Sequence, residues 1–373
     1  MDKHLHIITL DVPWPADYGG VVDLFYKIVH LHKQGVKIHL HCFTGGRAPQ
    51  DELDQYCESV QYYARKKFPQ SIRPGIPYIV SSRINKDLLQ NLQQDDYPIL
   101  MEGIHCTYYL YNGALKNRKV FVRLHNVEFS YYQKLAEHEK SFWKKTYFKT
   151  ESWLLKRYEK KIANKATFWP VSLEDTEAYK KITGAANIEF LPVFLPWEKV
   201  ITQTGKGCFC LYHGNLSVNE NEKAAEWLLT KVFNSMTIPL VIAGKNPSAH
   251  LEELAHVNKN TCLVANPSDK EMQDLIQKAQ INILPSFNNT GVKLKLLNAL
   301  YNGRYCLVNG AAAEGAAIDN LCQIAESPQD FRQLVTALYD QPFGEEDGLE
   351  RERILHATYN NDKNAAQLIQ WIY

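Results

Sequence analysis

The 373-residue sequence has almost no excess of charge, because 42 lysines and arginines stand against 41 aspartates and glutamates, a formal net charge of +1. A balance this close to neutral gives no overall field that would attract nucleic acid. Long hydrophobic runs are missing too, and no stretch approaches the ~20 apolar residues of a membrane-spanning helix. The first residues, Met-Asp-Lys-His-Leu-His-Ile, lack the pattern of a secretion signal. We therefore expect a cytoplasmic location.

Eight cysteines are too few in a chain of this length for a disulfide framework, and several lie in apolar runs where a buried thiol is usual. The sequence also has no G-x-G-x-x-G, no Walker loop and no G-x-S-x-G. The pairs His4/His6 and His39/His41 each lie on one face of a predicted strand. Because no third ligand lies near them in the sequence, histidines of a surface or core edge are favoured over a metal site.

What is present is an ordinary globular composition, 45% hydrophobic and 22% charged, in a chain long enough for two domains. Short apolar runs alternate with helical spacing along most of the chain, which is typical of α/β domains. The segment 193–207 contains Pro196 and Gly205 and is predicted to be a linker. The predicted domains are therefore 1–192 and 208–345, followed by a helical segment at 346–373.

The most informative stretch is 281–309. Residues 281–285 form a short apolar run, 292–301 have helical spacing, and 305–309 form a second apolar run. A strand, a helix and a strand in this order make a right-handed crossover unit. Free backbone N–H groups at the helix start, with Lys293 and Lys295 beside them, predict a binding site for a diphosphate. The alternative is an ordinary helix with two solvated lysines.

The same stretch resembles the nucleotide-sugar motif of the group 1 glycosyltransferases (family four). In the most similar subgroup this motif reads G-x-G-T-R-L-K-x-L-E-A-x-A-x-G-x-P-V-V, followed by A-E-G. Two positions depart from it: Asn298 replaces the glutamate that usually holds the donor ribose, and Thr290 stands at an earlier acidic position. An asparagine amide still bonds ribose hydroxyls, without the strength of a charge-assisted bond. The positions in register are Gly291, Lys293, Leu294, Lys295, Leu297, Ala299, Gly303 and Ala313-Glu314-Gly315.

The resemblance covers nearly the whole chain and implies the GT-B fold, an α/β architecture of two Rossmann-like domains facing each other across a cleft. It also implies that the last helix crosses back onto the N-terminal domain. The implied reaction moves a sugar from a nucleoside-diphosphate sugar to a hydroxyl acceptor with retention of configuration, in cell-surface polysaccharide or glycolipid synthesis. The nucleotide sugar is a substrate, so no cofactor is expected. The Asp-x-Asp of the other glycosyltransferase fold is missing, so no metal is expected either.

In the N-terminal domain, the candidates follow predicted strands. Gly19 and Gly20 come after the first strand and would let a sugar or phosphate approach the backbone. His125 lies in a His-Asn-x-Glu turn that is similar to the family's turn beside the transferring sugar, so a contact with the donor sugar and the transition state is expected. A structural histidine is the alternative. Further candidates, chosen by position, are Glu102, His105 and Asn126.

In the C-terminal domain, the resemblance places Gly214 and Asn215 near the donor phosphates and Lys245 near the nucleobase. Glu314 lies beyond the phosphates. The arginine and lysine of many family members are absent from the turn at 214–221. The phosphate contacts therefore pass to Lys293, Lys295 and backbone amides, where fixed positive charge would stabilise the leaving group.

Residues 129–164 are predicted to be helical, with aromatic and basic side chains interleaved. Such a helix can lie on an anionic membrane surface, so we expect peripheral contact of 140–165 with the inner face of the membrane. The alternative is a helix packed on its own domain with a solvated lysine face. The expected partners are a nucleotide-sugar donor and a sugar or lipid-linked acceptor, with no nucleic acid.

Two other functions stay open at this point. A sugar-nucleotide epimerase of the same architecture would need acid/base carboxylates, for which the sequence gives little evidence. A degenerate, non-catalytic binding protein or partner subunit is favoured by Thr290 and Asn298 in place of acids, and opposed by the retained lysines and His125.

Overall fold

The computed structural model describes residues 2–288, 291–316 and 318–373. The chain divides into two compact units, Met1–Pro196 with Tyr359–Tyr373 and Trp197–Thr358. Each unit contains a six-stranded sheet, and neighbouring strands pair in parallel throughout. The α/β class predicted from the alternation of apolar runs and helical spacing is confirmed.

The first sheet has the strand order β3-β2-β1-β4-β5-β6, the Rossmann order, in which chain direction along the sheet reverses between β1 and β4. Its central strands β1, β4 and β5 are buried on both faces along most of their length. The strands are β1 Lys3–Thr9, β2 Val36–Thr44, β3 Ser59–Ala64, β4 Ile99–Glu102, β5 Val120–Leu124 and β6 Thr167–Pro170.

Two helices of this unit begin at a residue whose side chain caps the helix. The Asn85 side chain caps α3, and Ser172 caps α7 by accepting from the N–H of Asp175. The helix predicted over 129–164 is two helices, α5 and α6. The helices are α1 Gly19–Lys33, α2 Tyr78–Ser81, α3 Lys86–Leu92, α4 Tyr108–Tyr111, α5 Glu128–His138, α6 Phe142–Ile162 and α7 Leu173–Thr183.

The second sheet repeats the same topology in the order β12-β11-β10-β7-β8-β9, with its own reversal between β7 and β10. Its strands are β7 Cys210–Asn215, β8 Leu240–Lys245, β9 Thr261–Ala265, β10 Ile281–Ile283, β11 Tyr305–Val308 and β12 Gln323–Ile324.

Serine caps start several of the helices around the second sheet. Ser268 and Ser327 form capping boxes with the acidic residue three positions later. The first helix continues into a π-helical turn at Leu228–Val232. The helices are α8 Asn219–Trp227, α9 Ala249–Val257, α10 Asp269–Lys278, α11 Leu294–Asn302, α12 Gly310–Ala313, α13 Pro328–Tyr339 and α14 Glu345–Thr358.

The C-terminal segment divides between the units at a later point than residue 346. Helix α14 stays with the second unit, because the buried guanidinium of Arg351 donates to the carbonyl oxygens of Gly303 at 2.6 Å and Arg304 at 2.7 Å. Only Tyr359–Tyr373 belongs to the first unit. There α15, Asn361–Ile372, packs on α1, and the side chain of Asn361 bonds both the N–H and the carbonyl of Leu195.

The predicted linker at 193–207 is also divided, between Pro196 and Trp197. Residues after Trp197 are held by the second unit, where Thr202 donates to the carbonyl of Gly303 at 3.0 Å. None of the helices in the described ranges combines the length and the apolar character that a membrane span requires.

Candidate active site

In the first unit, two predicted residues meet at the carboxyl edge of the sheet. Glu102 ends β4, and His125 follows the neighbouring strand β5. The Nε2 of His125 lies 3.1 Å from Oε2 of Glu102, and its Nδ1 lies 3.9 Å from Oδ2 of Asp23 in α1. The side chain of His125 is 17% exposed, whereas both carboxylates are buried. The edge lies beside the reversal point of the sheet, where α/β proteins bind ligands.

Two buried cations hold these carboxylates in place. The ammonium of Lys27 donates to Oδ2 of Asp23 at 3.0 Å and to Oε1 of Glu102 at 2.8 Å. The guanidinium of Arg123 donates to both carboxylate oxygens of Asp23, each at 3.0 Å. We call Asp23, Lys27, Glu102, Arg123 and His125 the charge network. His125 is its accessible end.

The cations keep the two carboxyl groups ionised. Burial by itself would raise the pKa of Asp23, but Arg123 and Lys27 outweigh it and hold that pKa well below its usual value. Burial acts in the same way on Glu102, and Lys27 and His125 hold its pKa below the usual value. The two carboxylates, Asp23 and Glu102, and the two cations, Lys27 and Arg123, cancel in charge.

The same charge balance argues against a metal here. Among the described residues, Asp23, Glu102 and His125 form the one group of three whose ligand atoms lie within 4.8 Å of one another. The amino group of Lys27 and the guanidinium of Arg123 already occupy the carboxylate oxygens. A divalent cation would lie beside two fixed cations, so the donor set fits a metal poorly. That no metal is required stays a prediction.

Sequence reasoning did not single out Asp23, Lys27 or Arg123. A signal was present: Asp23 and Lys27 stand four residues apart in the otherwise apolar run Val21–Val29, which places both on one helix face. Arg123 likewise interrupts the apolar strand β5. A charged residue on a buried face needs a partner, but the sequence does not say which one.

Gly19 and Gly20 form the first turn of α1 and do not precede the helix in a loop. The N-cap residue Tyr18 makes no side-chain capping bond, so the first N–H groups are not capped by it. A Cβ on Gly20 would lie 3.9 Å from Nδ1 of His125. The glycine pair and His125 are therefore neighbours at this edge.

His105 lies beside the same edge without joining the charge network. Its Nδ1 is buried and has no hydrogen-bond partner. Burial, and then the nearby Arg83 and Arg65, lower the pKa of His105 well below its usual value, so the ring is neutral. Gly103 has a φ of +87°, and a Cβ there would lie 3.0 Å from Nδ1 of His105, so glycine is required. Asn126 follows His125 and is half-buried.

In the second unit, the predicted lysines lie at the start of α11. The helix begins at Leu294, two residues later than the spacing predicted, so Lys293 is its N-cap and makes no side-chain capping bond. The ammonium of Lys295 lies 3.0 Å from Oδ1 of Asn221 and 3.4 Å from the hydroxyl of Tyr212. It also lies 4.9 Å from the centre of the Tyr212 ring.

The described partners of Lys295 carry no negative charge. Desolvation by the surrounding atoms, and then Lys293, lower the pKa of Lys295 to about 8. The adjacent His213 is buried, and burial followed by Lys295 lowers its pKa to about 3, so it is neutral. We call Lys293, Lys295, Tyr212, Asn221 and Gly214 the lysine site.

Gly214, Asn215 and Lys245 lie where the sequence placed them, at the carboxyl ends of two paired strands. Gly214 lies opposite Gly244, and Asn215 lies opposite the exposed Lys245. A Cβ on Gly214 would lie 3.3 Å from the side chain of Asn221, so glycine keeps the lysine site compact.

The remaining predicted residues surround α11. Gly291 has a φ of +63°. Asn298 accepts from the side-chain amide of Asn302 at 2.7 Å, which occupies its oxygen. Glu314 is half-buried after α12. Thr290 lies outside the described residues.

Known proteins resemble this chain in sequence and in fold. Residues 208–341, most of the second unit, match the family model described as Glycosyl transferases group 1. A Klebsiella pneumoniae protein, described as an uncharacterized 44.6 kDa protein in the cps region, is 28% identical over 331 residues, which is 84% of each chain.

Solved structures share the fold of the whole chain. Sucrose-phosphate synthase from Thermosynechococcus elongatus superimposes with a TM-score of 0.68 at 14% identity, over 99% of this chain and 98% of that one. Anabaena HepE, solved in complex with UDP and glucose, has a TM-score of 0.64 at 12% identity, over 98% of both chains. Two Rossmann-like units of this topology define the GT-B class, as predicted. The family match in the second unit adds a similarity to the group 1 glycosyltransferases.

Proposed function

We propose that this glycosyltransferase moves a sugar from a nucleoside-diphosphate sugar to a hydroxyl acceptor, with retention of configuration, in cell-surface polysaccharide or glycolipid synthesis. The observation that carries the proposal is the lysine site. Lys295 lies in the first turn of α11, whose N-cap residue makes no side-chain capping bond, and the described groups that hydrogen-bond its ammonium are uncharged. A diphosphate would supply the missing negative charge, because a helix N-terminus and a lysine both favour an anion.

The lysine site would act in catalysis by stabilising the leaving group. When the bond from the sugar to the diphosphate breaks, negative charge grows on the departing phosphate. Lys293, Lys295 and the first N–H groups of α11 are fixed in position before that charge appears. They would therefore stabilise the transition state more than the ground state.

In the first unit, His125 is the residue proposed to contact the transferring sugar. Its Nε2 is held by Glu102, and its exposed side faces the edge where Gly20 begins α1. The ring nitrogens of His125 are hydrogen-bonding groups. A sugar hydroxyl is a suitable partner for such a group. Glu102 is then a positioning residue.

The relatives support the substrate class. HepE was solved with UDP and glucose, and the Klebsiella relative is encoded in a cps region, which is consistent with capsule synthesis. We propose a nucleotide sugar as the donor and a sugar or lipid-linked hydroxyl as the acceptor, with membrane contact through 140–165. Neither a metal nor a further cofactor is part of the proposal.

The first test is nucleotide binding, measured by thermal shift and calorimetry with UDP, GDP, ADP and their sugar conjugates. One nucleotide should raise the melting temperature, because it binds only the folded state. Lys293→Ala/Lys295→Ala should weaken binding at least ~30-fold, since two charge-assisted contacts are lost. The control pair Lys259→Ala/Lys270→Ala, which are exposed lysines near α9 and in α10, should leave binding unchanged.

Two results would contradict the proposal. No response to any nucleotide at millimolar concentration would favour the degenerate, non-catalytic alternative. Binding that survives the Lys293/Lys295 double substitution would move the donor away from the lysine site. Once a donor is identified, the anomeric coupling constant of the product, measured by NMR, decides between retention and inversion.

A further inference from the structure

Helix α6 presents an exposed surface with charge of one sign only. It contains seven basic residues and two acidic ones. Both acids are buried: Glu151 accepts from the N–H of Tyr78 at 2.9 Å, and Oε1 of Glu159 accepts from the N–H of Phe129 at 3.1 Å. The six exposed cations therefore face the outside without a carboxylate from their own helix. They are Lys144, Lys149, Lys156, Arg157, Lys160 and Lys161.

The same surface carries large apolar side chains that a water-exposed helix does not need. Phe142 is 72% exposed, Trp143 is 80% exposed and Trp153 is 55% exposed. In the loop that leads to α2, Phe68 and Ile72 are 71% and 56% exposed. Aromatic side chains interleaved with cations are typical of helices that lie in the interface of an anionic bilayer.

A pocket of about 270 Å³ opens between this helix and its neighbours. Trp153, Arg157 and Lys161 line it from α6, Tyr111 lines it from α4, and Gly75 lines it from the loop that carries Ile72. We call it the α6 pocket. It shares no residue with the charge network and lies entirely in the first unit.

Aromatic rings, and not acids, hold the two cations of the α6 pocket. The guanidinium of Arg157 lies 4.6 Å from the centre of the Trp153 ring. The ammonium of Lys161 lies 5.5 Å from the Tyr111 ring and 3.3 Å from its hydroxyl. No ion pair within the described chain neutralises either cation. An arginine and a lysine facing one pocket are the groups that bind a phosphate.

We propose that the exposed face of α6 docks on an anionic membrane and that the α6 pocket takes the phosphate of a phospholipid headgroup. The exposed aromatic residues would enter the headgroup layer while Arg157 and Lys161 bind one phosphate. This deepens the membrane contact proposed above, and it rests on the proposed function only in placing the enzyme beside a lipid-linked acceptor.

The test is sedimentation of the full chain with vesicles, in the absence of any sugar nucleotide. One set contains phosphatidylcholine alone, and the other contains equimolar phosphatidylcholine and phosphatidylglycerol. The wild type should bind the anionic vesicles at least ~10-fold more strongly, and raised salt should weaken that binding. Equal binding to both sets, or to neither, would overturn the proposal.

A matched pair of double variants tests the pocket itself. Lys144→Gln/Lys149→Gln removes two exposed charges outside the α6 pocket and should weaken vesicle binding about 30-fold. Arg157→Gln/Lys161→Gln removes the same charge from inside the pocket and should weaken binding by more than ~100-fold, because specific phosphate contacts are lost as well. Equal losses would show a diffuse charged face without a headgroup site. Unchanged melting temperatures confirm that both variants fold.

Soluble glycerol phosphate separates a membrane headgroup from a free phosphate compound. If it binds the wild type but not the pocket variant while anionic vesicles fail to bind, the ligand is soluble and the membrane proposal is wrong. Nucleotide binding is measured on the same preparations. Loss of one activity without the other then shows whether the docking surface or the glycosyltransferase proposal has failed.

Discussion

The charge network of the first unit and the lysine site of the second place cations in opposite surroundings. In the network, Lys27 and Arg123 are buried against two carboxylates whose charges they cancel. In the lysine site, Lys295 contacts an amide oxygen and a phenol, and its pKa is lowered to about 8. The first arrangement is complete as it stands. The second would be completed by a bound anion, as proposed above.

We infer from this difference that the charge network positions a side chain, whereas the lysine site binds a ligand. A compensated network has little to gain from a charged ligand, but it fixes the ring of His125 through Glu102. An uncompensated cation is less stable by itself, and a diphosphate returns that free energy as affinity. Each of the following substitutions or pH changes tests one side of this comparison.

The largest expected effect comes from breaking the compensated network. Arg123→Met removes two hydrogen bonds to Asp23 and leaves its buried carboxylate with less positive charge. We expect the free energy of unfolding to fall by about 3–5 kcal/mol, measured by urea denaturation and circular dichroism. Lys295→Met should leave stability unchanged or raise it, because it removes a desolvated cation that lacks a carboxylate partner.

The control for that experiment is Arg353→Met, which removes an exposed arginine paired with Glu350 on α14. Exposed pairs contribute little, so no measurable change is expected. If Arg123→Met were as stable as the wild type, or if Lys295→Met were the more damaging variant, the contrast between the two sites would be wrong.

A smaller effect is expected from a chain of hydrogen bonds through two buried histidines, which ends at Asp95 and its ion-pair partner Arg118, 3.3 Å away. Asp95 accepts from Nε2 of His6 at 3.0 Å, and the other ring nitrogen of His6 lies 2.9 Å from Nε2 of His41. Nδ1 of His41 lies 2.9 Å from the hydroxyl of Tyr63. Burial lowers the pKa of both His6 and His41, so both rings are neutral near pH 7. His6 then donates to Asp95 and accepts from His41. The four strand histidines are thus bonded in neighbouring pairs, the structural reading that the sequence favoured.

Burial, and then His6 and His39, lower the pKa of His41 to about 3. Since the unfolded ring titrates near 6.5, the unfolded state binds more protons below that pH. The contribution of His41 is therefore fully present above pH 6.5 and is lost progressively towards pH 3. At pH 5 we expect a loss of about 2 kcal/mol relative to pH 7, measured by urea denaturation. In His41→Gln the loss of stability between pH 7 and pH 5 should be smaller. If the variant kept the full pH dependence, a group other than His41 would be responsible for it.

The smallest expected effect is the pH dependence of nucleotide binding. Lys295 carries its charge below its pKa of about 8 and loses it above, whereas an exposed lysine keeps its charge to pH 10. Affinity for the nucleotide should therefore fall about 10-fold between pH 7 and pH 9.5, measured by calorimetry. In Lys295→Arg this decline should disappear, because the guanidinium stays charged. A decline that persists in the arginine variant would point to another group.

Much of the fold was predictable because strands and helices depend on residues that lie close together in the sequence. Apolar runs of five to seven residues, followed by polar turns and helical spacing, recur along both units and predicted the α/β class. The motif around α11 was also local, so its lysines could be assigned to a helix start. The spacing misplaced that start by two residues, because Val292 continues the apolar pattern although the helix begins only after Lys293.

The charge network could not be assembled from the sequence. Lys27 and Glu102 are 75 residues apart, and Asp23 and Arg123 are 100 apart. No local sequence pattern connects them, and for each of them the sequence contains several residues of opposite charge that could be its partner. Only the parallel pairing of β4 with β5, under α1, brings them to one place.

The sequence by itself determined which segments become strands and helices, and it carried the motif of the nucleotide-sugar family, because both depend on residues close together along the chain. The tertiary structure decided which charges are cancelled. It buried Glu151 and Glu159, and so left the exposed face of α6 wholly positive, and it left Lys295 among neutral partners. The reason is that burial and ion pairing depend on distances in space, which the order of residues along the chain does not contain.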